Sequence, residues 1–168
     1  MADRSIFNRK YTSFSPAGVE VFLINGVGVT TSLPTTQNFT AGSNLIQGEV
    51  VYVSGALVFP ASALSGIAPF NYGAIGITAG AAGVTSGVAV NLDDVAVVSA
   101  ANITAESSLV PGEYYFLSKY TGQLTRYATA SGSITASGTD QYQALVGLGK
   151  AFSTTEIEVE ILPPTLLT

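Results

Sequence analysis

The acids are the residues most able to do chemistry. Asp93 and Asp94 are adjacent within Asn91-Leu92-Asp93-Asp94-Val95. On a strand their side chains would point to opposite faces, and in a tight turn they would cap backbone N–H groups. Glycosidase acid–base catalysis needs two carboxyls held across a cleft, which adjacency does not supply. A calcium site through Asn91, Asp93 and Asp94 has suggestive spacing but lacks the rest of an EF-hand loop. Glu156, Glu158 and Glu160 recur at every second residue. They read as a solvated strand face or as a ladder for a cation or a basic arm. The Gly-rich stretch 78–87 is followed by no Gly-Lys-Ser/Thr and opens no helix, so a phosphate loop is not expected there. Histidine and cysteine are both absent. That removes Ser-His-Asp and Cys-His catalysis, Cys-ligated metals and disulfides together. No catalytic, cofactor or metal constellation is expected, and the chain is not read as an enzyme.

Composition points to contact rather than chemistry. Charged residues make up 10% of the 168, against about 25% in an ordinary soluble domain, while hydrophobic residues make up 47%. No apolar run approaches the ~18 residues of a membrane helix. Met1 to Lys10 is polar and lacks an apolar stretch, so no secretory signal is expected. The sequons Asn38-Phe39-Thr40 and Asn102-Ile103-Thr104 are then not expected to be glycosylated. A surface so poor in charge is expected to end against another protein, or else to stay soluble through Ser and Thr hydroxyls alone. The net charge of −5 is unevenly placed. Arg4, Arg9 and Lys10 against Asp3 make the first ten residues net basic and leave an acidic body. Such an arm suits an acidic neighbour, another copy of the body among them, and such a body does not suit nucleic acid.

The elements that must position these residues are strands. Short β-branched or aromatic runs punctuated by Gly, Ser, Thr and Asn are expected at 19–24, 49–54, 74–78, 88–91, 95–99, 113–118, 123–127, 144–152 and 156–162. In the last, the three glutamates alternate with Ile157, Val159 and Ile161, and Pro163-Pro164 ends it. Hairpin turns are expected at Ser118-Lys119-Tyr120-Thr121-Gly122-Gln123 and, in shorter form, at Val53-Ser54-Gly55-Ala56-Leu57. The fold class is all-β, an antiparallel β-barrel or β-sandwich.

An internal repeat supports two similar β-units. Gly48-Glu49-Val50-Val51-Tyr52-Val53-Ser54 resembles Gly112-Glu113-Tyr114-Tyr115-Phe116-Leu117-Ser118, 64 residues on. Ala74-Ile75-Gly76-Ile77 matches Leu145-Val146-Gly147-Leu148-Gly149, with Gly76 set against Gly147 at a spacing of 71. The longer loop 129–139 is taken to absorb the difference. Any Gly-rich β-protein also produces such echoes by chance. Residues 1–45 read as an extended N-terminal arm with one strand, 46–162 as the body and 163–168 as a tail. Arg4, Phe7, Arg9, Lys10, Tyr11 and Phe14 in the arm, with Leu166 and Leu167 in the tail, are the expected protein-interface residues. The 8 Tyr and 8 Phe are expected to pack cores, with a carbohydrate-stacking platform as the alternative.

The stretch 45–161 resembles the capsid decoration (cement) and related head structural proteins of tailed bacteriophages. Leu45-Ile46-Gln47-Gly48-Glu49-Val50-Val51-Tyr52-Val53, Ala74-Ile75-Gly76-Ile77-Thr78 and Gly87-Val88-Ala89-Val90 carry the resemblance in the first half. Leu109-Val110-Pro111-Gly112-Glu113-Tyr114-Tyr115-Phe116-Leu117-Ser118 and Leu145-Val146-Gly147-Leu148-Gly149-Lys150-Ala151 carry it in the second. It covers about two-thirds of the chain, and tail-fibre (adhesin) modules share similar wording. The resemblance implies a small β-barrel or sandwich, a homotrimer, seated on the major capsid protein at the virion surface. It brings no catalytic residues; from the composition, no cofactor, no nucleic acid and no membrane are expected as partners.

Overall fold

The computed structural model describes residues 19–24, 27–32, 36–64, 71–129, 142 and 144–167, with side chains from 36 onward. Backbone contacts divide the chain into Met1–Thr35 and Thr36–Thr168. In the first unit, β1 (Val19–Ile24) pairs antiparallel with β2 (Val27–Ser32), Val19 opposite Ser32 and Ile24 opposite Val27.

The second unit is the all-β body. Five strands close into a barrel: β3 (Thr36–Ala41), β4 (Val50–Ser54), β5 (Leu57–Pro60), β6 (Ala74–Thr78) and β7 (Gly87–Asn91), in the order β3-β5-β4-β6-β7. A second five-stranded sheet follows from β8 (Val95–Val97), β9 (Tyr114–Leu117), β10 (Leu124–Arg126), β12 (Gly147–Ala151) and β13 (Glu156–Val159), in the order β10-β9-β12-β13-β8. A short pair, β11 (Ala144–Leu145) with β14 (Thr165–Leu166), completes it. The two sheets have one topology. Each runs from a hairpin, β5-β4 or β10-β9, through a glycine-bearing strand, β6 or β12, to a closing strand, β7 or β13, and then to the unit's first strand. In the first sheet, β3 then pairs parallel with β5 through Thr40↔Leu57 and Ala41↔Val58. In the second, the parallel bridge Ile103↔Leu124 takes the same place. We call the closed one barrel 1 and the other, an open sheet whose two edges meet only through that single bridge, barrel 2.

Register makes the repeat residue-specific and corrects one correspondence. Val51 lies opposite Gly76 and Tyr115 opposite Gly149, so Gly76 corresponds to Gly149, not to Gly147. Each pairing then slips by one residue, so that Tyr52 meets Ala74 and Phe116 meets Gly147, with Ile75 and Leu148 as the extra residues of the bulge. The glycine is required at both places. A Cβ on Gly76 would strike the Asn91 carbonyl oxygen, and one on Gly149 the Glu158 carbonyl oxygen.

The interiors correspond as well. Ala41, Leu45, Val51, Val58 and Val90 fill barrel 1, and their counterparts Ile103, Leu109, Tyr115, Leu124 and Ile157 are buried in barrel 2. Barrel 2 adds a three-residue 3-10 turn, Ala100–Asn102, between its first strand and the parallel bridge. Its β9–β10 turn is also two residues longer than the β4–β5 turn.

The arm boundary at 45 shifts. Thr36–Ala41 belongs to barrel 1, paired by β7 on one side and β5 on the other, and Val27–Ser32 is a second strand rather than irregular chain. The expected strand 144–152 is broken at Val146, whose carbonyl accepts the Leu117 N–H at 2.9 Å. The tail is tied to its own body through β14, with Leu166 opposite Ala144.

Candidate assembly surface

Barrel 1 and barrel 2 join along a seam made of backbone as much as side chain. The Gly122 N–H donates to the Ala61 carbonyl at 2.7 Å, and the Val50 N–H to the Gly122 carbonyl at 3.0 Å. The Ala63 N–H donates to the Ser118 carbonyl at 2.9 Å. Ser62 Oγ donates to the Lys119 carbonyl and Asn102 Nδ2 to the Gln47 carbonyl, both at 2.7 Å. Val50, Ala61, Ala63, Ala74 and Ile77 of barrel 1 share one hydrophobic core with the interior of barrel 2. Both additions to barrel 2 serve this junction, since Asn102 sits on the 3-10 turn and Gly122 ends the longer hairpin turn. Satisfied backbone groups and a common core fix the barrels as one body.

Two carboxylates report the strain of burial here with opposite signs. Glu49 lies against Gly122 at the seam, where burial pushes its carboxyl up and the Ile46 N–H, at 2.8 Å from Oε2, partly offsets this. Glu106 is also pushed up by burial, yet hydrogen bonds from Thr129 and Arg126, the Arg126 charge and the Tyr115 hydroxyl outweigh this and hold it below its ordinary value. Thr129 Oγ1 and Arg126 Nε each donate to Glu106 Oε1 at 2.7 Å. Tyr115 Oη donates to Oε2 at 3.3 Å and accepts the Val110 N–H at 2.9 Å. This node satisfies a buried phenol.

One open surface of the body is the outer face of barrel 2. One row across it runs Tyr114, Lys150, Glu158, Val95, and Val97 stands opposite Glu156 on the next. Tyr114, Val95, Val97 and Tyr127 are all exposed, and Tyr127 meets Phe116 edge to face at 6.5 Å between centroids. Tyr114 Oη donates to Glu160 Oε2 at 2.7 Å, a bond that raises the phenol's pKa. The alternation expected for 156–160 is present, with Ile157 and Val159 buried and Glu158 and Glu160 exposed. Beyond the hairpin turn lies an open cavity of about 450 Å³, lined among others by Thr104, Lys119, Tyr120, Gln123 and Tyr142.

The acids proposed for a cation go elsewhere. Asp94 Oδ1 accepts the Val95 N–H at 2.6 Å, a turn cap, while Asn91 Oδ1 accepts the Thr36 hydroxyl at 2.9 Å. Among the described residues no three potential metal ligands gather. The glycine-rich stretch keeps its N–H groups within barrel 1, with Ala79 N–H donating to the Ala89 carbonyl and Ala82 N–H to the Leu45 carbonyl. Arg4, Phe7, Arg9, Lys10, Tyr11 and Phe14 lie outside the described residues. Leu166 is exposed, whereas Leu167 packs against the shared core. The core packing expected of the tyrosines holds for Tyr115 and Tyr142 but not for Tyr114, Tyr120 and Tyr127, which are exposed, because the covering of each strand face, not the residue type, decides burial. The repeat held the usable signal, since Tyr114 and Tyr127 stand where barrel 1 has Val50 and Ala61. Comparison with known protein families and with curated proteins finds no match to this chain.

Proposed function

We propose that the chain is a structural protein of a tailed-phage virion, a capsid decoration (cement) protein that binds and stabilises the major capsid protein lattice as a homotrimer. The observation that carries this reading is a double barrel from a chain with 10% charged residues, whose open face sets Tyr114, Tyr127, Val95 and Val97 among Lys150, Glu158 and Glu160. Such a face favours burial against protein, where tyrosine supplies contact area with a polar tip. The work is mechanical. A body of fixed shape adds buried area at junctions between subunits, and symmetric repetition multiplies each contact. The resemblance in 45–161 directs the reading to the capsid. Purified protein mixed with empty capsids should co-sediment at fixed stoichiometry and raise the temperature at which the shells open. Protein left in the supernatant at saturating capsid rejects the reading.

A second reading has its own observation. The cavity beside Tyr120 and Tyr142, with Thr104, Thr125 and Gln123 around it, offers the aromatic and hydroxyl chemistry that binds sugars. A receptor-binding module of a phage tail fibre would bind glycans or whole cells and ignore capsids, and Tyr120→Ala would abolish that binding.

A further inference from the structure

We infer that copies of this chain associate head to tail, the outer face of barrel 2 on one copy seating on the hairpin end of barrel 1 on the next. The contact would repeat between molecules the seam that already joins the two barrels within one. On its barrel 1 side the seam uses Val50, Ala61 and Ile77, all buried. Val50 and Ile77 have Tyr114 and Lys150 as register equivalents in barrel 2, and Tyr127, at the start of a helical turn, follows Arg126 of β10 as Ala61 follows Pro60 of β5; all three face solvent, with Tyr114 41% and Tyr127 56% exposed. On its barrel 2 side the seam uses the turn ending in Gly122, and the matching turn in barrel 1 carries Gly55. A Cβ on Gly122 would lie 2.9 Å from Glu49 Oε1, whereas nothing lies within 4 Å of one on Gly55. The pattern repeats at the other glycine pair. A Cβ on Gly48 would lie 2.9 Å from the Val97 carbonyl oxygen, and one on Gly112 would meet open space. Each barrel therefore has one half of the junction engaged and the other half open.

The differences between the halves are complementary. The Gly55 turn is two residues shorter than the Gly122 turn and reaches less far. The face it would meet bears Tyr114 and Tyr127 in place of Val50 and Ala61, and these larger side chains fill the gap. The two open surfaces differ, and each chain carries one of each, so the association is heterologous. It closes into a ring where the rotation permits and otherwise extends. Glu113, the counterpart of Glu49, stands exposed at the edge of the open face.

The chain has no cysteine, so introduced thiols report alone. Ala56→Cys and Tyr127→Cys are made as separate single variants, both at exposed positions. Mixed and mildly oxidised, they should link into two-chain species, while either variant alone should stay a single chain. No link in the mixture, or equal linking by one variant alone, overturns the inference. Light scattering of the unmodified protein at micromolar concentration should show more than one chain, and Tyr114→Glu with Tyr127→Glu should return it to one that keeps the circular dichroism of the folded body. A monomeric unmodified protein, or an oligomer indifferent to those two changes, also overturns it. These readouts use isolated protein, so the outcome is independent of capsid binding.

Discussion

Barrel 1 and barrel 2 share a strand order but fill it with side chains of different size. Where barrel 1 has Ala41, Val51 and Val58, barrel 2 has Ile103, Tyr115 and Leu124, all buried. Interiors pack at fixed density, so added volume must be met by movement of the walls. The wall that gives is the parallel closure, two residue pairs in barrel 1 and a single bridge in barrel 2. The larger interior also brings a hydroxyl that needs partners. The loop between the parallel bridge and the leucine that both barrels bury, Ile103 to Leu109, is longer than Ala41 to Leu45, and Glu106 stands within it. One duplicated scaffold thus tolerates a bulkier core by loosening one seam and adding one polar node.

The deepest shared feature is the bulge, and breaking it should produce the largest effect. Gly149→Ala drives a Cβ into the Glu158 carbonyl at a residue whose φ is +143°, and Gly76→Ala does the same to the Asn91 carbonyl. Each should cost about 3 kcal/mol or more, since backbone rather than a flexible side chain must move. Gly87→Ala, with open space around it, should change stability by about 0.5 kcal/mol or less. Urea denaturation followed by circular dichroism compares the three. A large loss at only one of Gly76 and Gly149 would mean that the two barrels do not share this bulge, and small losses at both that the close approach does not constrain either.

The next effect sharpens the difference between the interiors. Tyr115→Phe keeps the volume but leaves the Val110 N–H without its acceptor and Glu106 without one donor. A loss of about 1–3 kcal/mol is expected in the same denaturation assay, in the range for a partly buried group left unpaired. A neutral result would show that the node contributes nothing beyond shape.

How much of this was readable beforehand depends on where each residue's constraint lies. Glu156 to Val159 could be read because a half-buried strand alternates, and the hairpin turns because Gly55 and Gly122 take positive φ. Thr36–Ala41 could not. Its Thr, Gln and Asn face outward from a closed barrel, and its strand state comes from pairing with β5 and β7 rather than from propensity. Val27–Ser32 was within reach, because Asn25-Gly26 between two β-branched runs is a strong hairpin signal. The repeat was visible, but its glycine pairing was set one bulge out of step, since only cross-strand register distinguishes Gly147 from Gly149. The open face of barrel 2 was not visible at all. Exposure of Tyr114 and burial of Val50, at equivalent positions, follow from which barrel covers which.

The smallest effect tests the seam through its one half-buried acid. Glu49 has its carboxyl pushed above the ordinary 4.5 in the folded protein, chiefly by burial against barrel 2. The folded state therefore holds the proton more tightly than the unfolded chain, and this group's contribution to stability is fully present below the ordinary carboxylate range. It is lost as pH rises through the raised value. Glu106 runs the other way: with its pKa lowered, its contribution is present above the ordinary range and lost as pH falls. Glu49→Gln keeps an acceptor for the Ile46 N–H and removes the ionised form. It should raise stability at neutral pH by about 0.5 kcal/mol or less, because solvent still screens the site, and should flatten the decline just above the carboxylate range. Melting temperature measured from pH 4 to 8 reads both changes. A loss of stability at neutral pH in Glu49→Gln would mean that the ionised carboxylate holds the two barrels together, and that the seam is electrostatic where we read it as packed.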